Sequence, residues 1–323
     1  MSGDGIIIEL GDVSKEFVVY RRAGRLRRER VVMRAVDHVS LTVGAGELVG
    51  YIGPNGAGKS TTIKMLTGIL VPSSGLVRVA GVDPQRRRVE LAQRIGVVFG
   101  QRSQLWWDLP LIDSFDLLRH VYRVPAARHA SNLADFVSLL EMAPFLDTPV
   151  RSLSLGQRMR GELCAALLHD PAILYLDEPT IGLDVVSKAR VREFLASINA
   201  SRGVTIVLTT HDLADVERLC SRLVVIDHGR VIEDGTVASI RSRYAGWRTV
   251  VVDLEDASAP PLVVPGATVE RVDGPRQWLR FARDSTTAAA VVSSVVAQAR
   301  VLDLSIEDPD IDDVVTRIYT RSS

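Results

Sequence analysis

The 323-residue chain has little of three features that mark specialised classes of protein. It carries only two cysteines, Cys164 and Cys220, which are too few for a disulfide framework, and we expect both to be buried, reduced thiols. No apolar run approaches the roughly 20 residues of a membrane-spanning helix, so we do not expect the chain to cross a bilayer. Basic and acidic residues number 39 each, so no net charge attracts the chain to nucleic acid.

The first ten residues lack the basic and apolar segments of a secretory signal, so we expect a cytoplasmic protein. Positive charge is concentrated in one stretch, from Arg21 to Arg34, which holds seven arginines and few apolar residues. This stretch predicts an exposed loop. Two interpretations of it stay open: a solvated hairpin tip, or a surface that meets anionic lipid headgroups, where each basic residue is worth about 1 kcal/mol.

Strand-like and helix-like patterns alternate along most of the chain, which favours an α/β fold with a parallel sheet covered on both faces. Beyond about residue 243 the pattern changes to short strands with two helices, the last of which Asp308 can cap with Pro309 at its first position. We therefore predict an α/β nucleotide-binding domain at 1–243, which begins with an antiparallel β-subdomain, and an α+β accessory domain at 244–323.

A glycine-rich segment follows the predicted strand 48–52 and opens a helix, which is the context that a phosphate-binding loop requires. Its glycines let backbone N–H groups surround phosphates, Lys59 neutralises their charge, and the Ser60 hydroxyl reaches Mg²⁺. The predicted ATP-binding residues of this loop are Gly53, Pro54, Asn55, Gly56, Ala57, Gly58, Lys59, Ser60 and Thr61.

Two carboxylates, Asp177 and Glu178, follow the apolar run 172–176. Ligands of open α/β sheets gather at the carboxyl ends of the strands. We expect Asp177 to hold Mg²⁺ through its water shell and Glu178 to act as the general base for a water that attacks the γ-phosphate.

The segment before this acidic pair closely resembles the signature motif of ABC ATPases. Its residues are Leu153, Ser154, Leu155, Gly156 and Gln157. Gln101 stands where that family has its Q-loop, Asp184 ends a Gly-Leu-Asp D-loop, and His211 stands at the position of the switch histidine. The order of the five motifs is that of the family, and the resemblance covers most of the chain.

The resemblance implies a P-loop cassette with a helical subdomain at about 102–168, working as a head-to-tail dimer. In that family each ATP lies between the phosphate loop of one cassette and the signature motif of the other. It implies further that His211 links Glu178 to the γ-phosphate and that Gln101 contacts Mg²⁺ and the attacking water. The predicted metal-contacting residues are then Ser60, Gln101 and Asp177.

Three details refine this prediction. Phe17 is our choice for the aromatic that stacks on adenine, with Tyr20 second. Leu155 departs from the glycine that is commonest at its position in the signature, but Ser154, Gly156 and Gln157 are kept, so we expect activity. The chain has no Asn-Lys-x-Asp motif for reading guanine, which favours ATP.

The pair Trp106–Trp107 lies just after the Q-loop position, where the family receives a coupling helix from a membrane subunit. The tryptophans suit either that partner surface or the interior of the helical subdomain. This stretch and the C-terminal residues look like cassettes that serve ABC-2 type permeases, most of them exporters. We therefore expect an export cassette on the inner face of the membrane, with a second, identical cassette as partner; the alternative is a soluble, non-transport ABC ATPase.

Overall fold

The computed structural model describes residues 5–22, 28–100, 102–244 and 246–322. The chain divides into two compact units, Met1–Gly235 and Thr236–Ser323. This division falls earlier than the predicted boundary after residue 243, because the helix at 237–244 groups with the C-terminal unit. The role of each unit as a separate domain stays a prediction.

The first unit contains two sheets and seven α-helices within the described residues. Its strands are β1 (Ile6–Arg22), β2 (Arg28–Gly44), β3 (Leu48–Ile52), β4 (Ser74–Val79), β5 (Ile95–Phe99), β6 (Ile173–Asp177), β7 (Thr205–Thr209), β8 (Arg222–Asp227) and β9 (Arg230–Thr236). Its helices are α1 (Lys59–Leu66), α2 (Arg88–Ala92), α3 (Leu111–Tyr122), α4 (Ala126–Leu139), α5 (Leu155–Leu167), α6 (Val185–Arg202) and α7 (Leu213–Leu219). Two short 3₁₀ helices, Ala143–Phe145 and Val150–Ser152, precede α5.

The central sheet has six strands in the order β5-β6-β7-β3-β8-β9, and the first five pair in parallel. Strands β3 and β7 are buried along their whole length, which explains why both read as continuous apolar runs rather than as alternating ones. The predicted parallel α/β core is confirmed. Because parallel strands share one direction, the residues that follow β3, β6 and β7 meet at one edge of the sheet.

The second sheet is antiparallel, in the order β2-β1-β4. Its inner side chains form one hydrophobic cluster with side chains of α1 and of the central sheet. The cluster includes Ile8, Leu41 and Val79 of this sheet, Ile63 of α1 and Tyr175 of the central sheet. The predicted antiparallel entry to the fold is therefore confirmed, and this sheet closes over α1 and the strand that leads into it.

The predicted loop between Arg21 and Arg34 is wrong over most of its length. Strand β1 runs on to Arg22 and β2 begins at Arg28, so the two form a hairpin whose register continues to the pair Arg22 and Arg28. Backbone pairing, rather than burial of apolar side chains, supports this extension, and Val18 and Val32 face each other there while 47% and 48% exposed.

The C-terminal unit contains α8 (Val237–Tyr244), β10 (Trp247–Leu254), β11 (Ala267–Asp273), β12 (Arg276–Ala282), α9 (Ala288–Gln298), β13 (Val301–Glu307) and α10 (Ile311–Ser322). The strands form an antiparallel sheet in the order β11-β12-β10-β13. This unit has its own hydrophobic core, in which Val291 and Val295 of α9 pack with Val250, Leu279 and other residues. The predicted α+β composition is confirmed.

The start of the last helix differs from the prediction. Asp308 does not cap it, because its carboxylate accepts hydrogen bonds from Arg248 (2.7 Å) and Arg283 (2.6 Å). The helix begins at Ile311, and the Asp310 carboxylate accepts the N–H of Asp313 instead (2.8 Å). Neighbouring arginines thus override a local capping signal.

Two expectations about the chain as a whole can be compared with the structure. Cys164 and Cys220 are both buried and free, as predicted. Among the described residues, none of the helices is long and apolar enough to cross a membrane.

Candidate functional site

The glycine-rich loop makes its turn between β3 and α1 with two residues that only glycine suits. Gly56 and Gly58 have φ angles of +84° and +107°, in the region that L side chains rarely adopt. A Cβ on Gly58 would lie 2.4 Å from the Ala35 carbonyl oxygen, and one on Gly53 would lie 2.5 Å from that of Ile226. The loop is therefore packed against two strands and leads directly into the first turn of α1, whose N–H groups have no partners within the helix.

Lys59 folds back over this loop. Its Nζ donates to the carbonyl oxygens of Gly53 (2.5 Å) and Pro54 (3.1 Å). Burial lowers the pKa of the lysine, while the charges of Glu178 and Asp177 act in the opposite direction. The ammonium group thus sits beside the loop with two carboxylates near it, which places a positive charge where phosphates would meet the loop.

Asp177, the last residue of β6, joins three elements. Its Oδ2 accepts from the Ser60 hydroxyl of α1 (3.0 Å), and its Oδ1 accepts from the Thr209 hydroxyl of β7 (2.5 Å). Asp177 and Thr209 are register partners in the parallel pair β6 and β7. The carboxylate is thereby fixed beside Ser60, and the two present oxygen atoms of the kind that Mg²⁺ prefers.

Glu178 leaves the strand in a left-handed conformation, with φ of +57°. Its N–H donates to the Thr209 carbonyl oxygen (2.9 Å), and its Oε1 lies 3.4 Å from Nδ1 of His211. The two acids thus have different neighbours, Ser60 and Thr209 for Asp177 and His211 for Glu178. The structure therefore brings Glu178 and His211 together across β6 and β7.

Ser60, Asp177 and Glu178 line a cavity of about 440 Å³ at the carboxyl ends of the strands. Its lining includes Asn55, Ser60, Phe99, Gly100, Asp177 and Glu178. A space of this volume at the carboxyl ends of the strands can admit a small ligand. Its polar lining combines Asn55 and Ser60 of the phosphate loop with the acidic pair and two basic residues, Lys64 and Arg102.

The signature residues form a second, separate structure at the start of α5. Ser154 caps the helix: its Oγ accepts the N–H of Gln157 (3.2 Å), and the Gln157 side chain accepts the N–H of Ser154 (2.8 Å). The Ser154 hydroxyl proton is not used by this capping box, and the residue is exposed. Ser154 can therefore donate to a group that comes from outside the chain.

The signature packs on the D-loop of the same chain. A Cβ on Gly156 would lie 2.6 Å from Oγ of Ser187, and one on Gly182 would lie 3.0 Å from Cδ2 of Leu155. Asp184 accepts the N–H (2.9 Å) and the hydroxyl (2.7 Å) of Ser187, and the bond from the N–H contributes most to lowering its pKa. Leu155 thus fills the space over the D-loop glycine.

Several predicted site residues do not join the cavity as the structure describes it. Of the phosphate loop only Asn55 and Ser60 line it, and neither Lys59 nor His211 does. Leu153–Gln157, Asp184 and Phe17 also lie outside its lining, and Nζ of Lys15 lies 5.2 Å from the centre of the Phe17 ring. Gln101 and the side chain of Tyr20 lie outside the described residues. Sequence reasoning missed Thr209, whose only available signal was its place at the end of the strand beside β6.

The tryptophan pair is exposed, Trp106 by 39% and Trp107 by 52%. The Arg158 guanidinium of α5 lies 5.9 Å from the Trp107 ring centre, and Arg151 donates its N–H to the Trp107 carbonyl oxygen (3.0 Å). Of the two interpretations left open by the sequence, the exposure favours a partner surface over the interior of the helical region.

Comparison with known proteins gives matches along the same residues. Residues 36–181 match the family model described as ABC transporter. The chain is 33% identical over 216 residues to the ABC transporter ATP-binding protein NatA of Bacillus subtilis, covering 67% of this chain and 87% of the relative. It is 35% identical over 271 residues to the Nod factor export ATP-binding protein I of Ralstonia nicotianae, covering 83% of each.

A longer match reaches into the C-terminal unit. The chain is 32% identical over 310 residues to the daunorubicin resistance ATP-binding protein DrrA2 of Streptomyces coeruleorubidus, covering 92% of this chain and 94% of the relative. Among solved structures, an ATP-binding subunit of an ABC transporter matches with a TM-score of 0.63 and 26% identity over 74% of this chain and 93% of that one. A dimeric bacterial ABC transporter cassette matches at 0.61 and 25%, over 71% and 98%.

Proposed function

The chain belongs to the ABC transporter family, as an ATP-binding subunit that hydrolyses ATP, and from this premise we propose how its residues carry out that work. The observation that carries the proposal is the contact of Ser60 and Thr209 with Asp177, with Glu178 and His211 beside them at the mouth of the phosphate loop. Three separate segments of the chain are brought together there, and each supplies a group that phosphoryl transfer needs.

The loop from Gly53 to Thr61 holds the β- and γ-phosphates of ATP. Its backbone N–H groups and the first turn of α1 donate to phosphate oxygens, and Lys59 moves its ammonium group from the loop carbonyls to those oxygens. Phe17 stacks on the adenine base. Phe17 lies in β1 opposite Met33 of β2. Met33 is two residues before Ala35, whose carbonyl oxygen packs against Gly58 of the phosphate loop, and this placement supports the assignment.

Ser60, Asp177 and Gln101 would hold the Mg²⁺ that accompanies the nucleotide. The hydroxyl and carboxylate already within 3.0 Å of each other are hard oxygen donors, and this chemistry fits the ion. When bound, the ion neutralises charge on the phosphates.

Glu178 is the general base of hydrolysis. It accepts a proton from water as the water oxygen bonds to the γ-phosphorus and the bond from that phosphorus to the ADP oxygen breaks. His211, 3.4 Å from the carboxylate, holds Glu178 in place and donates to the γ-phosphate. The positive φ of Glu178 supports the role, because strained backbone is retained where geometry matters to function.

Two copies of the chain close on two ATP molecules. The exposed Ser154 hydroxyl and the N-terminal amides of α5, which include that of Gly156, donate to the γ-phosphate held by the other copy. Asp184 caps α6 beside this motif and meets the partner cassette there. Support comes from the separation of the capping box from the strand-end cavity within one chain, and from the dimer of the similar bacterial cassette.

The membrane partner is a permease of the ABC-2 type, whose coupling helix docks at Trp106 and Trp107 of this chain. Their exposure supports this docking surface, as do similar proteins that are named for Nod factor export and daunorubicin resistance. Similar proteins named for methionine import match over 66% and 85% of this chain, so coverage alone does not separate export from import. On the names of the Nod factor and daunorubicin relatives we propose an export cassette, peripheral on the inner face of the membrane, and no role in binding nucleic acid.

A pull-down from detergent-solubilised membranes of the source cell tests this proposal. The bait is the Glu178→Gln chain with MgATP, in which closure without hydrolysis retains partners, and the control is Glu193→Gln, an exposed residue of α6. We expect a polytopic membrane protein to be recovered with the first bait. Recovery of ribosomes or DNA instead would assign the chain to the soluble, non-transport ABC ATPases.

A further inference from the structure

Glu162 is a buried carboxylate on the signature helix that the roles described above do not use. It lies two turns after Ser154 in α5, and its residue is only 5% exposed. Burial raises the pKa of its carboxyl group, while hydrogen bonds from Ser103 and Gln104 oppose that rise. A buried acid is costly unless its oxygens have partners, so the groups that face it show what it is for.

Both oxygens of Glu162 hold the segment that follows the Q-loop position. Oε1 accepts the Ser103 hydroxyl, and Oε2 accepts the backbone N–H of Gln104 (3.3 Å). The Gln104 side chain donates in turn to the backbone carbonyl of Glu162 (3.3 Å). The Ser103 hydroxyl also accepts the N–H of Leu105 (3.1 Å). Three consecutive residues without helix or strand are thus anchored to one turn of α5.

Close packing supports the same connection. A Cβ on Gly161 would lie 3.2 Å from Cδ1 of Leu105 and 2.8 Å from Cδ1 of Leu111, so the backbone of α5 touches the segment directly. Arg158, one turn earlier on α5, lies over the ring of Trp107. The segment 103–107 is therefore attached to α5 by a buried carboxylate, by side-chain packing and by a cation over an aromatic ring.

We infer that Glu162 is a positioning residue for ATP hydrolysis, which fixes the Q-loop exit and the Trp106–Trp107 surface to the signature helix so that they move as one body. The inference rests on the proposed function, because it takes the tryptophan pair as the permease surface and Ser154 as the group that meets ATP. Glu162 touches neither nucleotide nor permease; it acts through Ser103 and Gln104.

A double-mutant cycle on the full chain tests this inference. Glu162→Gln keeps the size of the side chain but offers one oxygen to two donors, and Ser103→Ala removes one donor at an exposed residue where folding should not suffer. We expect each change to lower kcat for ATP at least about fivefold with KM nearly unchanged, since loosening a distant support displaces catalytic groups. The double variant should be no slower than the slower single variant.

Three results would overturn the inference: full kcat in a folded Glu162→Gln chain, full kcat in Ser103→Ala, or effects that multiply in the double variant. Glu193→Gln, an exposed acid of α6, is the matched control and should keep wild-type kcat. The proposed function is tested separately in the same assay, because it fails if Glu178→Gln hydrolyses ATP as fast as the wild-type chain, whatever Glu162→Gln does.

Discussion

At the scale of single residues, the site depends on contacts between segments far apart in the chain. Ser60 and Asp177 are separated by 117 positions, yet their side chains share a hydrogen bond. The sequence predicted both residues because each lies in a local motif, and the rule that ligands gather at the carboxyl ends of parallel strands predicted their meeting. Thr209 was missed because a threonine at the end of an apolar strand carries no local signal of its own.

Replacing Glu178 with glutamine gives the residue-scale prediction. The amide keeps the shape of the side chain but accepts no proton from the attacking water, so we expect kcat to fall by about 10²- to 10⁴-fold. Affinity for ATP should stay close to wild type, because the phosphate loop is untouched. Phosphate release under saturating MgATP measures the first quantity and binding of a fluorescent ATP analogue the second; loss of both together would assign Glu178 a structural role instead.

At the scale of elements, the end of α6 is tied to α4 by one arginine. Arg202 donates to Asn132 (3.1 Å), Asp135 (2.8 Å) and Asp170 (3.0 Å), and its guanidinium lies 4.6 Å from the ring centre of Phe136. This cluster connects the helical region with the strand-bearing core at the end of the sheet away from the phosphate loop.

We expect Arg202→Ala to lower the free energy of unfolding by about 1–3 kcal/mol, since it removes three hydrogen bonds and the packing of the guanidinium on Phe136, although Arg128 still pairs with Asp170. Arg190→Ala is the matched control, because its ion pair with Glu141 is exposed on both sides and should be worth less than about 1 kcal/mol. Urea denaturation of the two variants measures both values. Equal losses would mean that Arg202 does not connect the two regions.

The ends of the strands and helices show which features the sequence predicts and which it does not. Both ends of strand β3 were predicted correctly, because glycine-containing turns on either side of this short apolar run mark where it begins and ends. The extension of β1 and β2 into the arginine-rich stretch was missed because cross-strand hydrogen bonding, which no local pattern reports, holds it together. The start of α10 was placed too early, since Arg248 and Arg283 compete for Asp308.

At the scale of the whole molecule, the order β5-β6-β7-β3-β8 sets the distance between the motifs. The loop after β3 and the residues after β6 and β7 meet at one edge of the sheet, whereas the signature residues at the start of α5 pack on the D-loop. In the function that we propose, one chain therefore carries both halves of an ATP site but does not assemble them with each other. The central claim is that two chains complete the site.

The most direct test is the molar mass of the Glu178→Gln chain in solution, measured by light scattering with and without MgATP. We predict a monomer without nucleotide and a dimer with it, returning to monomer when ATP is removed. A chain that binds ATP and still remains monomeric at micromolar concentration would contradict the account, because its signature motif would then have no nucleotide to meet.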